Sequence, residues 1–171
     1  MKKIMEMLQN MKAKNEKKDN KGFSLVELII VIAIMAILVG IVGTQVLPYI
    51  NKSKEAKDFQ IINSYGTAAT TAYASNAEKI KATTTVIMGG TNTDDDTNGK
   101  PALTLQKEIE TLTGYSDITK LTGKMASTKG KTIAAVKIVI DLSAKTITTQ
   151  AYSTAACTSG SEVFDKVVTQ L

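Results

Sequence analysis

The sequence predicts an α+β fold in which one long N-terminal helix, half transmembrane and half amphipathic, packs on a small antiparallel sheet. Three observations carry this prediction. Leu28 to Gly43 reads LIIVIAIMAILVGIVG, with no charged or strongly polar side chain. Beyond Pro48, apolar residues recur at steps of three or four, the period of one helix face. From Thr132 onward the period falls to two, as in half-buried strands.

The 171 residues suffice for one domain with a modest core. The formal net charge of +5 is concentrated at one end, because residues 1–22 hold seven lysines and three acids. Little excess remains beyond Gly22, so a nucleic-acid-binding body has no compositional support. The chain contains no histidine and one cysteine, Cys157. An intramolecular disulfide, a His/Cys metal site and a nucleophile–histidine pair are therefore excluded. No Gly-rich phosphate loop is present either, and the chain is read as a protein that is not an enzyme. Cys157 reads as a small core hydrophobe, with intermolecular pairing the other reading.

Residues 1–22 form a polar, lysine-rich leader. The apolar run extends from Phe23 to Leu47, longer than the roughly 20 residues that cross a bilayer. It is apolar all round, as a membrane helix is. The basic flank places residues 1–22 in the cytoplasm and the C-terminal body outside. A secretory signal peptide is a poor fit, because Thr44-Gln45-Val46-Leu47-Pro48 lacks a small-x-small cleavage site. A plain anchor leaves Glu27 unexplained, since an acid at the centre of a membrane helix costs about 2.5–3.5 kcal/mol and less near an end.

Lys21-Gly22-Phe23-Ser24-Leu25-Val26-Glu27 resembles the type III signal of type IV pilins and the pseudopilins of type II secretion, and the likeness spans Lys17 to about Tyr49. The resemblance implies that a membrane prepilin peptidase cuts after Gly22 and methylates the new amino terminus at Phe23. It implies that Glu27 pairs with the Phe23 amine of a neighbouring subunit during assembly. It also implies a pilin-like fold and a self-associating filament as the destination. The partners implied are the peptidase, an inner-membrane assembly platform, minor pilins, and membrane lipid before assembly. The implied location is the cell membrane as a single-pass precursor, then a surface or extracellular filament.

Gly22 lets an extended peptide lie close to a protease backbone. Pro48 lacks an amide hydrogen and crowds the Thr44 carbonyl, so a helix kink is expected there. Gly40 and Gly43 weaken the same stretch; close helix packing through small residues is the other reading.

From Tyr49 to Lys79, Phe59, Ile62, Gly66, Ala69, Tyr73, Ala77 and Ile80 mark one apolar face. Lys52, Lys54, Glu55, Lys57 and Asp58 make the early polar turns. The expected divisions are therefore 1–22, a leader that is removed; 23–50, the assembly half of the helix; and 51–171, the body. Gly89 to Gly99 is a loop. Its Asp94-x-Asp96-x-Asn98-Gly99 matches the first half of a calcium loop, but Leu105 stands at the twelfth position and Glu108 is three residues late. The loop therefore reads as a solvated turn or a calcium site, and no other cofactor is indicated.

Pro101 opens a helix over Ala102 to Leu112, ended by Gly114. Lys120 to Lys131 reads as loop. Thr132–Leu142 and Lys145–Tyr152 form a hairpin turned at Ser143-Ala144. Glu162 to Val168 reads as a last strand or a helical turn. The threonine-rich body, with Thr67, Thr70, Thr71, Thr83, Thr84 and Thr85, favours a pilus subunit over a pseudopilin or a competence subunit. An unprocessed, membrane-tethered binding module is the alternative from another class.

Overall fold

The computed structural model describes Glu6, residues 23–92 and residues 98–171. Its contacts divide the chain into two units at Leu47/Pro48. Leu25–Asn76 is helical in three segments: α1 (Leu25–Ile41), a π-helical turn (Val42–Val46) and α2 (Leu47–Asn76). The first unit, as far as it is described, is α1 and the π turn. No residue of either is buried.

The second unit carries the core. Four strands, β1 (Thr84–Met88), β2 (Ala135–Asp141), β3 (Thr146–Tyr152) and β4 (Val167–Gln170), form one antiparallel sheet in the order β1-β2-β3-β4. The expected hairpin is present, with Ile140 opposite Ile147 and Val136 opposite Ala151. Val136, Ile138, Ile140, Ile147 and Ala151 are buried together with Ile62, Tyr65, Ala69 and Ala72 of α2. Alternation in the strands and a three-to-four step in the helix thus bury complementary faces. Gly66 faces Thr149 and Val167, where a Cβ would sit 3.6 Å from the threonine hydroxyl and 3.5 Å from the valine methyl.

Helix α3 (Ala102–Thr113) inserts Leu105 and Ile109 into the core and ends at Gly114, whose φ of 76° is left-handed. Beyond it the structure departs from the sequence reading. Overlapping Lys120–Lys131, expected as loop, Ile118–Lys124 is a helix, α4, and Gly130–Thr132 is a single 3₁₀ turn. Asp117 caps α4 by accepting from the Lys120 amide at 2.9 Å, and Leu121 is fully buried. The polar composition concealed a short helix anchored by a cap and one leucine.

The sequence pattern predicts no element at β1. This strand pairs with β2 from Thr84 opposite Ile140 to Met88 opposite Val136. At its outer edge Ile87 is paired by Asn92, whose side-chain amide accepts from the Ile87 N–H and donates to the Ile87 carbonyl, both at 2.8 Å. One side chain thereby imitates a neighbouring strand. Glu162–Val168, expected as a last strand or a helical turn, is largely neither: Glu162 makes an isolated bridge to Tyr152, residues 163–166 are irregular, and β4 begins only at Val167.

Asp58 corrects the polar-turn reading of early α2, since it is 0% exposed. Cys157 corrects the core reading, since it is half-buried in a surface loop at φ 50°.

Candidate functional site

The residues singled out at the N-terminal junction fall at the start of α1. Gly22 lies outside the described residues, as does the rest of the 1–22 leader apart from Glu6. Phe23 precedes the helix and is 82% exposed. Ser24 is the N-cap residue, with extended backbone (φ −63°, ψ 140°), and Glu27 stands at N3 of a capping box. The Glu27 carboxylate accepts from the Ser24 backbone N–H at 3.2 Å through Oε2. A carboxylate near a helix N-terminus also sits favourably against the helix dipole. The helix therefore begins at Leu25, capped by Ser24, and has Glu27 in its first turn.

Every described residue of the helix that follows is exposed. Its large apolar side chains, and those of the π turn, are exposed by 41% at Val46 to 73% at Leu25. The helix is long and apolar enough to cross a membrane by length and composition. An apolar surface this continuous marks a lipid-facing or protein-facing segment.

The expected weak stretch coincides with a change of helix type. The π turn Val42–Val46 contains Gly43 and ends two residues before Pro48. Thr44 donates its hydroxyl to the Gly40 carbonyl at 3.0 Å, a back-bond that commonly bends helices. A Cβ at Gly40 or Gly43 would meet nothing within 4 Å. Among the described residues, no contact therefore requires a glycine at either position.

Of the three calcium candidates, Asp94 and Asp96 lie outside the described residues and Asn98 lies within them. Leu105, at the twelfth position, is a core side chain with 0% exposure. Glu108 accepts a short hydrogen bond from Asn76. The residues downstream are thus committed to packing and to α2. Among the described residues no group of three or more acids, cysteines or histidines is placed to hold a metal ion.

Asp58 is the polar centre that the sequence did not disclose. Its Oδ1 accepts from the Ala126 N–H at 2.7 Å, and its Oδ2 accepts from the Ser127 N–H at 2.8 Å and the Ser127 hydroxyl at 2.5 Å. Ser127 Oγ in turn accepts from the Gly130 N–H at 2.8 Å. A Cβ on Gly130 would fall on the Asp58 carboxylate. The one available signal was spacing: Asp58 is four residues before Ile62 and seven before Tyr65, on the face that becomes buried.

Carboxylates nearer the surface are held mainly by groups close to them in sequence. The Ser143 hydroxyl, with the Ala144 and Ser143 amides and the Thr83 hydroxyl, holds the Asp141 carboxyl below its ordinary value. The Lys120 amide does the same for Asp117. Partial burial pushes the Cys157 thiol up, the opposite of what an activated nucleophile requires.

A family profile described as the prokaryotic N-terminal methylation motif matches residues 17–43. No curated protein and no solved structure matches the chain.

Proposed function

We propose that this chain, whose residues 17–43 are the type IV pilin and pseudopilin signal, is a structural subunit of a type IV pilus-like filament. The signal supports a pilin-like or pseudopilin protein, and the membrane-spanning-capable helix beside it supports membrane anchoring. Prepilin peptidase cuts after Gly22 and methylates Phe23, and Phe23–Leu47 of many copies then form the filament core. The homopolymer assembles with an inner-membrane platform and minor pilins and emerges as a surface filament.

The observation that carries this reading is the pairing of the junction with an exposed helix. An inert anchor needs only the apolar run. Here an acid in the first helical turn follows the junction, four residues after the residue that would supply the new amine. Within a hydrocarbon environment a lone carboxylate is costly, and an amine from a neighbouring copy neutralises it. A pilus is favoured over a pseudopilus or competence filament by the threonine-rich coat of the body, including the exposed Thr67, Thr71 and Thr85.

Intact mass of the protein from membranes and from sheared surface filaments tests the reading. A chain beginning at N-methylated Phe23 is expected. A chain that still begins at Met1 would sink it in favour of an unprocessed tethered module.

A further inference from the structure

The Asp58 clamp gathers charge as well as structure. Lys54 and Lys57 flank Asp58 on α2, with Lys52 one turn earlier. The loop that the clamp holds brings Lys124, Lys129 and Lys131 to the same end of the body, and all six lysines are exposed. Glu55 and Asp165 are the carboxylates beside them, lining a shallow cleft with Lys129, Phe59 and Phe164. Asp58 itself is fully engaged by three donors and faces no solvent. The Lys129 ammonium rests 5.2 Å from the Phe164 ring centroid, which keeps it at this surface. Outside this group, residues 48–171 hold eight lysines and nine acids. The body is thus basic at one end and close to neutral elsewhere.

We infer that this lysine cluster, set around the Asp58–Ser127 clamp, is a docking surface for the anionic headgroups of the lipid bilayer in which the unassembled subunit resides. It rests on the reading of Phe23–Leu47 as a membrane segment. Lys52 follows the last residue of that run by five positions. Lysines this close to a span, on the translocated side, run against the positive-inside bias and call for a partner that favours them. Phosphate-bearing lipid supplies it, since each lysine near an anionic surface is attracted over about a Debye length. Buried Asp58 adds to the effect by ordering the loop while leaving the lysines without an exposed counter-charge of its own.

The full chain in lipid nanodiscs tests this inference. One set of discs is purely zwitterionic and the other is about one-third phosphatidylglycerol. Brief amine acylation followed by mass spectrometry reads each lysine. In anionic discs, labelling of Lys54, Lys57, Lys124 and Lys131 is expected to fall about fivefold, the equivalent of the usual attraction per lysine. Exposed Lys79, Lys107 and Lys145 serve as internal references and should not change. Salt at about 1 M should restore the labelling. Insertion with uniform labelling in both discs would overturn the inference while leaving the membrane reading intact. Protection produced only by added duplex DNA would overturn it in favour of a nucleic-acid partner. A chain that stays outside the discs would overturn both readings.

Discussion

Asp58 and Ser127, separated by 69 residues in sequence, are joined by two hydrogen bonds that place a buried carboxylate oxygen 2.8 Å from the serine amide and 2.5 Å from its hydroxyl. A carboxylate removed from water is tolerated only when its lone pairs are satisfied. Here one side chain on the second helix satisfies three donors of the Ala126–Ser127 segment and receives the same from them.

Removing that acceptor leaves the donors buried and unpaired. Asp58→Ala is expected to destabilise the fold by about 3–4 kcal/mol, and Asp58→Asn by less because one oxygen remains. Gly130→Ala should also destabilise, by about 2 kcal/mol, since its methyl meets the carboxylate. Urea denaturation of the three variants checks the ranking; an Asp58→Ala protein as stable as the parent would refute it.

Thr149 Oγ1 is buried and has no hydrogen-bond partner among the described residues. Thr149→Val is therefore expected to stabilise by about 1 kcal/mol, because it removes a desolvated hydroxyl at nearly constant shape. Gly66→Ala, against the same threonine, meets only ordinary contacts of 3.5–3.8 Å and should add up to about 1 kcal/mol through helix propensity. Melting temperatures that fall in both variants would contradict this reading of the helix–sheet contact.

Acid sensitivity follows from Asp141. Its folded-state pKa is lowered by the Ser143 hydroxyl and neighbouring amides. A depressed pKa contributes stability that is present above the unfolded value of about 3.9 and is lost as pH falls through the folded value. Asp141→Asn should therefore flatten the decline of Tm below about pH 4 and leave its slope near neutrality unchanged. An identical acid limb in parent and variant would exclude Asp141 as a contributor.

At the junction, Glu27→Ala should preserve membrane insertion and cleavage but abolish filaments. Loss of one partner of a buried pair costs about 3–5 kcal/mol, far more than the loss of a capping contact, about 1 kcal/mol. Quantifying sheared filaments alongside the mature protein in membranes separates assembly from processing. A normal filament yield would remove Glu27 from its proposed role.

Millimolar calcium should leave the Tm of the full chain unchanged. Leu105 is held in the core and Glu108 is bonded to Asn76, so neither can complete a loop begun at Asp94. An upward shift in a thermal melt would restore the calcium reading.

Much of this molecule could be read along the chain. The hairpin was legible because Val136, Ile138 and Ile140 alternate strictly. The third helix was legible from Pro101, its apolar face and Gly114. Strand β1 was not, because Thr84–Met88 is five residues long and opens with threonines that suit a loop equally well. Helix α4 was hidden by its polar composition, and its reality depends on the Asp117 cap and on a core waiting for Leu121. Cys157 misled because small apolar side chains are usually buried, whereas this one occupies a positive-φ turn of a surface loop.

The sequence by itself determined the junction, the apolar run and the place of Glu27 within it. These depend on the order of neighbouring residues and on side-chain hydrophobicity, which need no partner elsewhere in the chain. Only the tertiary structure decided that Asp58 is buried, that Asn92 pairs with Ile87 at the sheet edge and that six lysines share one end of the body. Each of those outcomes requires groups brought together by folding. Asp58 shows the difference most clearly: an acid among lysines at the start of a helix reads as solvated until the donors of Ala126 and Ser127 arrive to replace water.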